Sequence, residues 1–386
     1  MLAITNGKIF TPEPVEGVVL IEQGKITAVG KLEVPPDAEV IDAQGMWVLP
    51  GFIDAHTHLG ICEETYRIEG DDTNEMTEPV TPHLRALDAV NPEDEGLQDA
   101  VAGGITTVFA APGSGNVVGG TGLVMKTYGK IVDKMVLREP AGLKIAFGEN
   151  PKRVYGEDKK MPMTRMGTAG LMRESLVKAQ NYQESIERGK TDPAELPERD
   201  LRLEVLLQVL RREIPLRAHA HRADDIMTAV RIAREFDVDL VIEHCTEGHK
   251  IAAELAEAGI PAVVGPSLSN RAKIELKDIT YKTPGILAKA GVKVALMTDH
   301  PVIPIQYLPI SAGLAIREGM SQADALKALT INPAEILGVA DRVGSLAPGK
   351  DADVVVWSGN PFELASKPKL VLIDGKIVFS DHFSPV

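Results

Sequence analysis

Apolar and polar positions change rhythm twice along this chain. Over the first fifty residues, short apolar runs alternate with turn signals. Leu2–Ile4, Lys8–Phe10, Gly17–Glu22, Lys25–Val29 and Glu39–Asp42 are set apart by Asn6-Gly7, Gln23-Gly24 and Pro35-Pro36. Runs this short, with Asn-Gly between them, predict strands joined by hairpins. The end of the chain repeats the pattern in Ala352–Trp357, Leu370–Ile373, Asp374-Gly375 and Lys376–Phe379. A small β-sandwich assembled from both termini, residues 1–50 plus 341–386, is therefore expected.

Between residues 51 and 340 the rhythm becomes alternating β and α. Strands are predicted at Thr106–Ala111, Leu143–Phe147, Pro215–His219, Leu240–His244, Ala262–Val264 and Val294–Met297. Amphipathic helices are predicted at Pro92–Ala102, Leu171–Arg188, Leu201–Arg212, Ala223–Glu235, His249–Ala258 and Ile305–Glu318, with stops at Gly103-Gly104, Gly259 and Gly319. Such alternation over about 290 residues suits a closed (β/α)8 barrel of the TIM type better than an open sheet. No GxGxxG follows the first strand, which argues against a dinucleotide-binding fold. The glycine-rich stretch Gly113–Gly122 lacks the Gly-Lys-Ser/Thr of a phosphate loop and is expected to be a flexible loop over the barrel mouth.

Candidate chemistry sits at the predicted strand ends, where barrel enzymes carry their catalytic groups. The run Met46–Leu49, then Phe52-Ile53, leads into Asp54-Ala55-His56-Thr57-His58. Two histidines spaced i, i+2 on a strand share one face, and two neutral imidazoles aimed together suit a divalent metal. Other strands lead into Glu149, His219 with His221, His244, and Asp299-His300. A single strand-end carboxylate often only caps the next helix. Five strand ends all offering His, Asp or Glu point to a metal centre.

At these residues the chain resembles the metal-dependent amidohydrolase superfamily, most like its imidazolonepropionase-like group. The phrases Leu329-Thr330-Ile331-Asn332-Pro333-Ala334, Leu337-Gly338 and Gly344–Asp353 add to the resemblance, which spans essentially the whole chain. It implies that His56, His58, His219, His244 and Asp299 bind metal, with Asp299 also acting as general base. For the bridging position it offers Glu149, a strand-end carboxylate, or alternatively Lys144 carrying a carbamate. His221, Arg222 and Arg153 are expected to meet substrate, and His300 to steady an oxyanion or orient Asp299. Zinc is the expected metal, as one or two ions, with iron or manganese as alternatives.

The resemblance implies hydrolysis of a carbon–nitrogen bond in an amide or cyclic amide. Many deaminases of the superfamily carry a glutamate three residues after the strand-five histidine. Arg222 stands there instead, which disfavours the alternative of an amino-heterocycle deaminase. A non-catalytic barrel scaffold would be expected to have lost ligands, and none is missing. The acidic segment Ile61–Val90 is expected to form a lid, with Lys152, Arg153 and Arg165 as cations near the mouth. His83, His249 and His382 lack ligand-like surroundings and are expected to be structural or exposed.

Bulk properties narrow the partners. The 386 residues carry a formal net charge of −14 and no basic cluster, which disfavours nucleic acid and anionic membranes. Two cysteines, Cys62 and Cys245, make no disulfide framework and suit a reducing cytoplasm. No apolar run approaches the roughly 18 residues of a membrane span. A small-molecule substrate is expected, and the resemblance implies a homo-oligomer.

Overall fold

The computed structural model describes residues 1–11, 14–65 and 68–381; His382 lies outside them. Eight strands form one sheet in chain order: Phe52–Thr57, Ile105–Ala110, Val118–Lys126, Val136–Ala146, Leu216–Ala220, Leu240–His244, Ala262–Val264 and Val294–Leu296. The segment just past the last strand returns to the first through side-chain and backbone hydrogen bonds. Asp54 Oδ2 accepts from the backbone N of Thr298 at 3.0 Å and from its hydroxyl at 2.6 Å, and His58 N donates to His300 O at 2.8 Å. Helices including Glu95–Ala102, Arg165–Gly189, Leu201–Leu210, Ala223–Phe236 and Leu308–Arg317 surround this barrel. The fold is a TIM-type barrel with added sheets from the termini.

One part of the expected pattern is corrected. The stretch Gly113–Gly122 is not wholly a loop, because Val118–Lys126 is a fully buried strand. It pairs antiparallel with both neighbours, Ile105–Ala110 and Val136–Ala146. Strands two to four are therefore a meander rather than β/α units. Glycine hides such a strand from sequence reading, since it weakens strands in general. Here it is required by space: a Cβ on Gly122 would lie 2.5 Å from the Phe109 ring, and one on Gly120 2.6 Å from Leu84 O.

Beside the barrel, two sheets face each other. One has four strands, from Leu2–Thr5, Val18–Glu22, Lys25–Gly30 and Glu39–Asp42. The other has six, in which Trp47–Pro50 lies between Lys8–Phe10 and the C-terminal Val354–Trp357. Ile4, Val19, Ile21, Ile26, Ile41, Val48, Val354, Val356, Leu370 and Leu372 fill the space between the sheets. The termini thus build the sandwich jointly.

The backward-running strand ends at the junction of barrel and sandwich, where Lys126 is buried. Its Nζ meets Asp353 Oδ2 at 2.5 Å, Asp351 Oδ2 at 3.1 Å and Asp374 Oδ1 at 3.4 Å. Burial opposes the ammonium charge, but these carboxylates outweigh it and raise the Lys126 pKa. Breaking a buried ion pair from one side leaves an uncompensated charge, at a cost of about 3 kcal/mol or more. Lys126→Met is expected to lower unfolding free energy by that amount in urea denaturation, with the metal centre unaltered in the folded protein.

Candidate metal centre

The strands deliver their polar ends to one rim. Among the described residues, two groups of side chains place one ligand atom each within 4.8 Å of the others: His56, His58 and Asp299, and His219, His221 and His244. Asp299 Oδ1 lies 3.1 Å from His56 Nε2 and 3.4 Å from His58 Nε2. The imidazoles of the two groups adjoin, with centroids of His56 and His244 5.4 Å apart and those of His219 and His244 4.1 Å apart. His244 (φ 68°) and Asp299 (φ 55°) both have left-handed backbone. Non-glycine residues adopt it at a cost of order 1 kcal/mol or more, and such strain collects at functional sites.

Three of the five imidazoles are hydrogen-bonded from behind through Nδ1, and a fourth has a carboxylate close by on that side. His58 Nδ1 lies 2.8 Å from Ala111 O, His244 Nδ1 3.1 Å from Gly265 O, and His221 Nδ1 2.8 Å from Thr246 Oγ1. His56 Nδ1 lies 2.9 Å from Glu243 Oε2. Outer partners of this kind fix ring orientation and leave Nε2 for a metal. His221 Nε2 is buried with no hydrogen-bond partner, a nitrogen lone pair that a cation would satisfy.

Protonation states fit the same purpose. Burial, with the neighbouring imidazoles, holds His219, His221 and His244 well below the usual histidine pKa, so they are neutral donors. Burial opposes ionisation of Asp299, but His244 and the hydrogen bonds from His56 and His58 prevail and keep it an anion. His56 differs: burial opposes its charge, yet Glu243 and Asp299 raise its pKa. A metal taken up there displaces the proton on Nε2. Neutral imidazoles and one carboxylate are a donor set suited to zinc, with iron and manganese also accommodated.

The two groups open into a cavity of about 470 Å³, also lined by Lys144, Asn74, Ser114, Asn150, Arg153 and Lys273. Lys144, on the fourth strand, is buried, and its Nζ lies 3.3 Å from His56 Nε2 and 2.9 Å from Glu243 Oε2. Glu149 belongs to neither group and does not line the cavity. It starts the helix Glu149–Glu157, where its backbone N donates to Glu275 Oε2 at 3.1 Å. The strand ends at Ala146, and Gly148 (φ 84°) turns the chain away before Glu149 is reached.

The other expected residues separate in the same way. Asn74 Oδ1 accepts from Gly115 N at 2.7 Å, so part of the Ile61–Val90 segment does cover the mouth. Arg153 reaches the cavity wall, while Arg165 is drawn off to Asp225 at 2.8 Å. Arg222 pairs with Asp224 through Nε at 2.8 Å and Nη2 at 2.9 Å, outside the cavity lining. His300 is fully buried and turned from the cavity, its Nε2 3.5 Å from Glu64 Oε1; burial pushes its pKa down to about 4. His249 Nδ1 lies 2.9 Å from Thr283 Oγ1, a structural contact. Sequence reading missed Glu243, Arg217 and Lys273; Arg217 stands two residues before His219, where alternation places it on the same face, whereas Glu243 adjoins His244 and alternation would have turned it away.

Comparison with known proteins places the whole chain in a family. A crystal structure of an amidohydrolase from Thermotoga maritima MSB8 is 51% identical, with 99% of this chain and 100% of that chain covered and a TM-score of 0.96. This chain belongs to the amidohydrolase family. The profile described as "Amidohydrolase family" matches residues 202–378. Amidohydrolase tasK of Hapsidospora irregularis is 30% identical over 98% of this chain, which spans only 43% of that protein. Imidazolonepropionase of Cupriavidus metallidurans is 26% identical over 91% of this chain and 87% of its own length. The chain is thus a member of the metal-dependent amidohydrolase superfamily in its imidazolonepropionase-like group, an enzyme that hydrolyses carbon–nitrogen bonds of small molecules. Among the described residues no helix is long and apolar enough to cross a membrane.

Proposed function

We propose that this amidohydrolase opens an amide or cyclic amide bearing a carboxylate, at a site built for two zinc ions. The observation that carries this reading is the pair of adjoining ligand groups with the Lys144 amine beside them. His56, His58 and Asp299 would hold one ion, and His219, His244 and His221 the other. His221, which the sequence leads one to expect at the substrate, joins the ligand set because its unpartnered Nε2 belongs to that group. Zinc supplies Lewis acidity, lowering the pKa of water from about 16 to near 7 and polarising the substrate carbonyl.

Lys144 is better placed than Glu149 for the bridging role. Its neutral amine adds to carbon dioxide, forming a C–N bond and releasing one proton, and the carbamate offers two anionic oxygens between the groups. Lys144 shares the Glu243 carboxylate with Arg217, its Nζ 2.9 Å from Oε2, and is thereby held beside His56.

Asp299 acts as general base, taking a proton from water and returning it to the departing nitrogen. Arg153, which makes no ion pair among the described residues, would receive the substrate carboxylate, a charge-assisted contact. Nothing in the cavity favours the deaminase alternative, since Arg222 stays bound to Asp224.

The test is a panel of lactams, hydantoin-like rings, N-acyl amino acids and proline dipeptides, assayed on zinc-loaded protein with metal per chain measured by mass spectrometry. Ring opening or deacylation of acidic members is expected. Ammonia as the sole product, or no metal bound, would overturn the reading. Arg153→Met is expected to raise KM for acidic substrates roughly tenfold, the loss of one charge-assisted hydrogen bond, with kcat little changed. Steady-state kinetics on a neutral analogue should show no such rise.

A further inference from the structure

The layer of side chains beneath the metal groups is ionic where a barrel interior is ordinarily filled by branched apolar residues. Glu243 stands one residue before His244 but faces the barrel interior, where its carboxylate is completely buried. Oε2 takes both His56 Nδ1 and Lys144 Nζ at 2.9 Å, while Oε1 accepts from Arg217 Nε at 2.8 Å. Arg217, also fully buried, donates through Nη2 to Ala55 O at 2.7 Å, and its guanidinium lies 4.3 Å over the Phe109 ring. Space for it is reserved: a Cβ on Gly142 would lie 2.6 Å from Arg217 Cγ.

Burying such ions is a weak route to stability, because desolvation can exceed the attraction gained. The contacts make better sense as a device for placement. His58 and His244 are braced by backbone carbonyls and His221 by a hydroxyl. His56 alone is braced by a carboxylate, and the same oxygen holds Lys144.

We propose that Glu243 is a positioning residue that sets His56 and Lys144 together, with Arg217 fixing its own orientation. This rests on the two-ion reading above. The carboxylate lies against the Nδ1 edge of the His56 ring, so that Nε2 is the donor turned toward Asp299. It also holds the Lys144 nitrogen 3.3 Å from that Nε2, and the N–H of a carbamate can keep the same hydrogen bond. Neither residue touches substrate.

Glu243→Asp separates placement from charge balance. It retains the anion that offsets Arg217 but withdraws it from His56 and Lys144 by one methylene. The full chain, stripped with chelator, would be titrated with zinc against a chromophoric competitor, and Lys144 modification followed by ¹³C NMR after exposure to ¹³C-bicarbonate. The expected result is a tenfold to hundredfold loss of affinity for one ion, as for outer-shell partners generally, with a diminished carbamate signal and a preserved cooperative melt. Unchanged affinity for both ions with a full carbamate signal would overturn the proposal and leave the two-ion reading standing. An unaltered protein that binds no zinc would overturn both. Should Glu243→Asp not fold, Arg217→Lys keeps the charge, loses the bond to Ala55 O, and is read by the same two measurements with the same deciding outcomes.

Discussion

Asp299→Asn is expected to lower kcat by about 10³-fold, within the range that a positioned general base contributes, while zinc per chain falls much less. Asparagine matches the carboxylate in shape and keeps an oxygen near His56 and His58, which lie 3.1 and 3.4 Å from Asp299 Oδ1. It cannot accept the proton from water. Steady-state kinetics paired with metal analysis on one preparation separates the two effects. Turnover within tenfold of the unaltered enzyme would assign the base elsewhere. Loss of metal in proportion to activity would make Asp299 chiefly a ligand.

Lys144→Met should be comparably severe for a different reason. It removes the nitrogen that carries the carbamate while keeping most of the buried stem. One of the two ions should then be lost. Turnover should fall by about 10³-fold, because a polarising ion is worth several kcal/mol of transition-state stabilisation. Glu149→Gln, by contrast, is expected to leave zinc content and kcat near those of the unaltered enzyme, since Glu149 does not line the cavity. The two variants assayed side by side decide between the bridging candidates. A Lys144→Met enzyme with two ions and full activity would exclude the carbamate.

Much of this centre was legible before any coordinates. His56 and His58 announce themselves because a period of two on a strand keeps alternate side chains on one face. His219, His244 and Asp299 could be found because barrel chemistry gathers at strand ends. What failed was depth along the strand. A strand predicted over Leu143–Phe147 puts Lys144 near its beginning and Glu149 just beyond its end, but the strand begins at Val136, so Lys144 stands near its end.

His221, expected to meet substrate, lies just past a strand end, where alternation no longer fixes the direction of a side chain. Leu216–Ala220 ends just before it, and Thr246 draws its ring inward. The expectation for His300 rests on its adjacency to Asp299, whereas the left-handed backbone at Asp299 sends the next side chain toward Glu64. The reversed strand Val118–Lys126 was obscured by glycines that report tight packing rather than a turn. Glu243 and Arg217 would have looked like errors in a buried strand, and local rules tend to fail in this way at functional sites.

The placement of Trp47–Pro50 matters for how the chain is made. Its outer neighbour, Val354–Trp357, is more than 300 residues later in the sequence. While the ribosome is still synthesising the barrel, that strand has one side without a backbone partner, and open edges invite pairing with other chains. That side of Trp47–Pro50 therefore stays open until Val354–Trp357 emerges to complete the sheet.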